Sequence, residues 1–226
     1  LGHQALLQLL LPLLRQGRSP RIVITSSEVH DPGSPGGRVG RAAGLGDLSG
    51  LSRTTPAGLL DGSSDFDADK AYKDSKLCNL LMAQELERRL RRCGTPLPVL
   101  AWSPGLVIPR SSGGFFRDSR RHNRFGQLVF AVLARDLLRL TATAQQAGSL
   151  LACLAVDPGL DSGGFSYRSN RVLGPGRLRF EPATPSPEAR DPDLAARLWT
   201  LSAERLGLDP LQGLRSAGQE GPADQS

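Results

Sequence analysis

The chain has 226 residues, 39% of them hydrophobic and 22% charged. That is enough for one sizeable core and too little for two full domains. The formal net charge is +6, and Lys70, Lys73 and Lys76 are the only lysines beside the many arginines. Such a balance suits an anionic cofactor, an anionic lipid surface or nucleic acid. A GC-rich coding sequence that uses Arg in place of Lys explains it more simply. Nucleic acid is not expected, because the arginines carry no interleaved aromatics and no known motif. Cys78, Cys93 and Cys153 are odd in number and far apart. They argue against a disulfide framework or a structural zinc site, and for a reducing compartment. His3 and His30 have no partners at metal-ligand spacing, so each is read as a satisfied or exposed histidine. The longest apolar run, around residues 5–14, contains Gln8 and Pro12 and is too short to span a bilayer. The chain opens at Leu1 without a signal or transit segment and reads as a fragment or a processed chain.

Leu1–Leu14 places Leu6, Leu7, Leu10, Leu13 and Leu14 at helical spacing, which predicts an amphipathic helix. Gly17-Arg18-Ser19-Pro20 breaks it. Arg21–Ser27 is β-branched and ends in small polar residues, as a buried parallel strand opening onto a site would. Residues 31–68 are rich in Gly, Ser, Pro and Asp, and a loop of that length is usually functional or disordered. Asp69–Arg92 is the clearest helix: Leu77, Leu80, Leu81, Leu86 and Leu90 form its apolar face. Glu85, Glu87, Arg88, Arg89, Arg91 and Arg92 are assigned to its wet side, and Gly94 stops it. Pro98–Ser103 is the next buried strand, ended by Pro104-Gly105.

Residues 106–124 read as a polar, Arg-rich loop. Phe125–Leu140 and Ala142–Val156 read as helices, Gly163–Arg171 as a final short strand, and Asp191–Leu206 as a helix with Pro192 in its first turn. Trp102 and Trp199 are assigned to the core. The domain expectation is one α/β unit over residues 1–208 and a disordered tail over 209–226. Strands separated by helices predict a doubly wound, Rossmann-type parallel sheet.

The segment that carries chemistry is Tyr72-Lys73-Asp74-Ser75-Lys76. Four residues apart on a helix, Tyr72 and Lys76 share one face. A Lys ammonium beside a phenol is expected to lower the Tyr pKa and make it a better proton donor near neutral pH. Ser27, at the end of the preceding strand, offers a hydroxyl for the same substrate oxygen. All three would converge at the C-terminal edge of a parallel sheet, where open α/β sheets bind ligands. A Tyr-x-x-x-Lys spacing alone is common by chance. With a strand ending Ser26-Ser27 before it and one ending Pro104-Gly105 after it, the set resembles the short-chain dehydrogenase/reductase family.

A narrower resemblance rests on longer segments. Ala71-Tyr72-Lys73-Asp74-Ser75-Lys76-Leu77-Cys78-Asn79 resembles the tyrosine-helix motif of light-dependent NADPH:protochlorophyllide oxidoreductases. So does Gly46-Asp47-Leu48-Ser49-Gly50-Leu51, followed by Leu60-Asp61-Gly62. Leu1-Gly2-His3 is similar to the end of an Asn-His-Leu-Gly-His element of that family. Ala196-Arg197-Leu198-Trp199, with Ser202 and Leu206-Gly207-Leu208, is similar to its last helix.

The resemblance implies a plastid enzyme that reduces a ring double bond of protochlorophyllide, NADPH giving hydride after the pigment absorbs light. Tyr72, Lys76 and Ser27 would be the catalytic set. Tyr72, Lys76, Pro104 and Gly105 would bind the cofactor, and Ser27, Cys78 and Leu106 would face the substrate. Residues 31–68 would shape the pigment pocket and 106–140 its lid. On position alone, Cys78 is a small core residue, and Cys93 and Cys153 are structural. The run Arg117–Arg124, with His122, reads as a solvated face of the lid. An acidic lipid headgroup at a peripheral membrane contact, or a pigment carboxylate, is its alternative partner. A homo-oligomer is left open.

Three departures from the family stand out. The Gly-rich phosphate-binding turn would lie upstream of Leu1, so the domain is expected to lack its N-terminal βαβ units. Leu106 stands where the family has Cys directly after Pro-Gly. Arg110 stands where it has a Thr. The alternatives are therefore a dark NADP(H)-dependent reductase of carbonyl or retinol-type substrates, an inactive paralogue, or a non-catalytic scaffold or pigment-binding protein of the same fold.

Overall fold

The computed structural model describes residues 1–52, 58–107, 141–160 and 164–214. The expected helix over 125–140, Arg110 and the Arg-rich run with His122 lie outside those residues. Five helices and four strands are found among the described residues: α1 (Gly2–Leu14), β1 (Ile22–Thr25), α2 (Ser49–Ser52), α3 (Ala68–Arg92), β2 (Pro98–Ser103), α4 (Ala144–Val156), β3 (Gly164–Gly174), β4 (Arg177–Pro182) and α5 (Pro192–Leu206).

The sheet order is β1-β2-β3-β4. β1 pairs β2 in parallel, with Thr25 opposite Trp102, and β2 pairs β3 in parallel, with Ser103 opposite Ser169. Both connections carry helices, as parallel neighbours require. β4 runs antiparallel to β3, and the sequence reading missed it. The strand expected to stop at Arg171 continues to Gly174 and folds back through a Gly-Pro-Gly corner. Arg-Leu-Arg-Phe-Glu-Pro is half exposed and charged, so it lacks the β-branched run that marked β1.

α3 begins at Asp67, whose carboxylate accepts the Asp69 and Lys70 N–H groups. It ends at Gly94, which takes the left-handed conformation (φ 70°). Leu77, Leu80, Leu81, Leu86 and Leu90 are all buried, packed with Ile22, Ile24, Val99 and Ala101 of the sheet. The supposed wet side is not wet. Glu85 and Glu87 are buried, Glu85 bridged by Arg88 and Arg89 and Glu87 by Arg91. α5 covers this flank: the Arg89 guanidinium lies 5.3 Å from the Trp199 ring centroid and donates to the Pro210 carbonyl.

α1 also corrects its reading. Leu6, Leu10 and Leu13 are exposed, Leu13 by 63%, while Gln4 and Gln8 are buried. The glutamines are inward because they satisfy carbonyls there: Gln4 donates to Trp199 O and Gln8 to Asp209 O, both at 2.9 Å. Those bonds hold the chain beyond α5. Residues 209–214, expected to open a disordered tail, form turns, with Leu214 fully buried alongside Leu11. Residues 215–226 lie outside the described residues.

The long Gly-rich loop is held by charge. Lys73 is 1% exposed; its ammonium donates to the Val39 and Arg41 carbonyls and pairs with Asp69. Lys70 donates to Gly44 O and Asp74, each at 2.7 Å, and lies 3.3 Å from Asp61. Asp74 in turn accepts the Gly44 N–H, and Glu188 accepts the Leu45 N–H. Burial pushes the Asp74 carboxyl up, opposed by Lys70 and the Gly44 amide. Asp61 is held down at about 2, burial being outweighed by hydrogen bonds from Ser63 and Lys70. Removing Asp74 takes the nearer carboxylate from buried Lys70, which keeps Asp61 and Gly44 O, and orphans the Gly44 N–H, at a cost of about 1–3 kcal/mol. Asp74→Ala is therefore expected to lower unfolding free energy by about 1–3 kcal/mol in urea titration, and Leu214→Ala by about 2–5 kcal/mol. Unchanged midpoints would refute the two anchors.

Candidate active site

β1 and β2 end at the same edge of the sheet. Beyond Thr25, the Ser26 N–H continues the ladder to Trp102 O at 2.7 Å. α3 is tied to this edge at two points. The Ser26 hydroxyl donates to Lys76 O, and the Asn79 amide donates to Thr25 O, both at 2.9 Å. These bonds aim the Tyr72–Lys76 face of α3 at the strand ends, and Ser27, Tyr72 and Lys76 meet there. Ser27 is near enough to the Tyr72 phenol to oppose the effect of burial on its pKa, and the Lys76 ammonium lies over the Tyr72 ring, 5.2 Å from its centroid. The three are partly buried.

The expected lowering of the Tyr72 pKa is reversed. Burial raises it, and the Ser27 hydrogen bond opposes burial without overcoming it. Burial lowers the Lys76 pKa. Among the described residues Lys76 has no carboxylate partner. A half-buried ammonium in that state has N–H donors to offer a polar ligand such as a ribose, and in this respect the site fits a dinucleotide.

Pro104 and Gly105 close the end of β2. Asn170 of β3 donates its side-chain N–H to Pro104 O at 3.1 Å. Gly105 has φ 78°, and a Cβ there would meet the Asn170 carbonyl oxygen at 2.6 Å. Both conditions call for glycine. Leu106 follows, its carbonyl accepting the Ala142 N–H. Cys78 does not join Tyr72 and Lys76. It packs against the core cluster, and burial pushes its thiol up to about 12. Cys93 and Cys153 are also free thiols, Cys153 exposed. Two surface hollows, one lined by Leu10, Leu13, Leu14 and residues 17–20 and one by Asp47, Ala196, Arg197, Thr200 and Leu201, include none of the three site residues.

Sequence reasoning passed over the supports of the site. Asn79 was legible: seven residues after Tyr72, it falls on the same helix face. Asn170 carries no local signal. Neither do Glu28 and Ser169, joined by a 2.6 Å hydrogen bond across 141 residues. His30 is a satisfied histidine, 2% exposed, bonded to Ser27 O and Ser186 N.

A sheet of mostly parallel strands flanked by helices, with Ser, Tyr and Lys meeting at its C-terminal edge, is the Rossmann-type arrangement of the short-chain dehydrogenases/reductases. No protein-family model matches the chain. Its sequence is homologous to protochlorophyllide reductases. It is 33% identical to protochlorophyllide reductase A of Oryza sativa subsp. japonica over 214 residues, covering 92% of this chain and 52% of that protein. Identity is 32% to protochlorophyllide reductase A of Triticum aestivum, and 32% to protochlorophyllide reductase of Avena sativa, of which the chain covers 64%. The chain thus spans about half the length of the curated relatives it matches first. Among solved structures, an uncharacterized protein from Mycobacterium paratuberculosis is similar, with a TM-score of 0.56 and 28% identity, over 92% of this chain and 56% of that one.

Burial lowers the His30 pKa below its ordinary 6.5, while the Ser27 carbonyl and the Asp31 and Glu28 charges resist. The folded chain therefore binds the proton less readily than the unfolded chain. Its contribution to stability is whole above about pH 6.5 and is lost as pH falls through the lowered value. Urea midpoints are expected to fall between pH 7.5 and 5.5, and His30→Gln to flatten that fall; an equal fall in both proteins would assign it elsewhere.

Proposed function

We propose that this chain forms the catalytic part of an NADPH-dependent reductase of protochlorophyllide, acting in chlorophyll synthesis in the chloroplast. The observation that carries the reading is the Lys76 ammonium over the Tyr72 ring, 5.2 Å from its centroid, on the face of α3 that the Ser26 and Asn79 bonds tie to the sheet edge. The homology to protochlorophyllide reductases, several of them named chloroplastic, supports the substrate class and the compartment of this reading.

NADPH, when bound, supplies the hydride. Lys76 would hold its ribose, and Pro104 and Gly105 would bear on the nicotinamide. Ser27 lies beside the Tyr72 phenol at the edge of the sheet. Tyr72 gives its proton to the substrate atom that becomes basic as hydride arrives, and Lys76 offsets the negative charge left on the phenol. One hydride and one proton thus add across one double bond. The functional test takes the chain with whatever its transcript encodes upstream of Leu1. It is mixed with NADPH and protochlorophyllide in the dark, then illuminated. A shift of the pigment band to that of chlorophyllide, absent without NADPH, supports the proposal. Binding without conversion points to a divergent or inactive paralogue.

Leu106 favours a second reading, a dark reductase of hydrophobic carbonyl compounds. Its side chain offers no proton and no polar contact, which a carbonyl reduction carried by Ser27, Tyr72 and Lys76 does not need. Conversion of aldehydes or ketones without light would select it.

Tyr72→Phe is expected to reduce turnover by about 100-fold or more in whichever reaction is found, with cofactor affinity largely kept. Wild-type turnover would reject Tyr72 as the donor. Leu106→Cys is expected to raise photoreduction under the first reading; no change would show that this position is not limiting.

A further inference from the structure

The peptide unit that joins Pro104 to Gly105 is held at both of its polar atoms. Its oxygen, Pro104 O, accepts the Asn170 side-chain N–H at 3.1 Å. Its nitrogen, Gly105 N, donates to the Ser103 hydroxyl oxygen at 3.4 Å. A carbonyl can only accept, so the Asn170 atom that faces it is the amide nitrogen. Asn170 and Ser103 are both buried, while Pro104 and Gly105 are half-buried at the edge of the sheet. Both polar atoms of the peptide are thus turned inward.

Nothing within the two residues fixes this orientation. Turning the peptide over changes Pro104 ψ and Gly105 φ, and glycine accepts either sign of φ. Gly105 stands at φ 78°, and glycine is required there because a Cβ would meet the Asn170 carbonyl oxygen at 2.6 Å. The neighbour that demands the free residue also supplies the bond that restrains it. Of the two bonds, the one from Asn170 is the shorter and joins strands 66 residues apart, whereas Ser103 belongs to the same segment and moves with it. Asn170 is itself set by the sheet: it pairs with Phe180 of β4 and follows Ser169, the partner of Ser103.

We infer that Asn170 is a positioning residue for the cofactor, which holds the Pro104 carbonyl inward so that Pro104 and Gly105 present an apolar seat to the nicotinamide and favour its reduced form. The inference rests on the proposed NADPH site, in which these two residues bear on the nicotinamide. The reduced ring is neutral and the oxidised ring is cationic. A carbonyl oxygen turned outward beside the ring would attract the cation and leave the neutral ring against an acceptor that it cannot satisfy. Asn170 acts through the peptide and does not touch the cofactor.

The experiment needs no turnover and uses the chain with whatever its transcript encodes upstream of Leu1. Labelling proline at its carbonyl carbon and glycine at its nitrogen gives one NMR signal for each Pro-Gly pair, and Pro104→Ala assigns that of Pro104-Gly105. Asn170→Leu is similar in size and has no donor. It is expected to move the Pro104 carbonyl signal upfield, as loss of a hydrogen bond does. Its affinity for NADPH is expected to fall by about fivefold or more relative to that for NADP+, the worth of about one hydrogen bond. A fault of folding would weaken both forms alike. A Pro104 signal unmoved in folded Asn170→Leu overturns the inference, and so does a signal that moves while the ratio of the two affinities stays at its wild-type value.

If Asn170→Leu does not fold, Asn170→Ala, which cannot overfill the site, carries the same expectations. If neither folds, the wild-type protein decides. Scalar coupling across the hydrogen bond from Asn170 Nδ2 to the Pro104 carbonyl carbon, and a Pro104-Gly105 signal that moves on adding NADPH, support the role; absence of either refutes it. Failure of the pigment assay with these results positive would sink the proposed substrate and leave the role of Asn170 intact. A chain that binds neither NADPH nor NADP+ would sink the cofactor site and this inference with it.

Discussion

The hydrogen bonds that tie the middle of α3 to the end of β1 set the relation among the site residues. Ser26 hydroxyl to Lys76 carbonyl and Asn79 amide to Thr25 carbonyl are each 2.9 Å, and each joins parts of the chain 50 or more residues apart. The Ser26 bond is unusual in its acceptor. A mid-helix carbonyl is normally occupied by its own helix, and here its second lone pair takes a bond from the strand end. The helix is thereby fixed in rotation and height against the sheet. Four residues of helix then suffice to bring both Tyr72 and Lys76 to Ser27.

This docking explains what the residues between Tyr72 and Asn79 do. Tyr72, Lys76 and Asn79 lie on the face turned to the strand ends. Lys73 and Asp74, with Lys70 one turn earlier, turn away and bind backbone groups of residues 39–44. The sequence Tyr-Lys-Asp-Ser-Lys-Leu-Cys-Asn thus records two contacts at once, one with the site and one with the inserted loop. All three lysines of the chain serve these contacts, while the exposed basic residues are arginines.

The parts of the fold legible in the sequence were those set by local pattern. Leucines at helical spacing gave α3, a short β-branched run gave β1, and Pro-Gly marked the end of β2. The readings that failed depended on distant partners. Glu85 looks wet until α5 brings Trp199 over its partner Arg89, and Glu87 until Arg91 pairs with it beside Gly164 of β3. Gln4 and Gln8 look outward until carbonyls at Trp199 and Asp209 need donors, and then leucines are left exposed in their place. β4 was a charged edge strand whose one local clue was the Gly-Pro-Gly corner. At the site, Ser27, Tyr72 and Lys76 came from spacing and order. Their supports, His30, Asn170 and the Glu28–Ser169 pair, are contacts across the sheet that no local pattern encodes.

The electrostatics of the site then constrain the proposed chemistry. Burial dominates the shifted groups at and behind the site: Tyr72 is pushed up, Lys76 and His30 down. Each shift favours the neutral form, so the edge resists charge until a partner supplies its opposite. A phenol with a raised pKa is a poor acid toward a resting carbonyl or ring carbon. It becomes a competent donor only toward an atom that hydride transfer has made strongly basic. In the proposed reaction, the raised Tyr72 pKa therefore suits a proton given to an atom that hydride has already made basic. Ser27 moderates this restraint, since it opposes the effect of burial on the phenol.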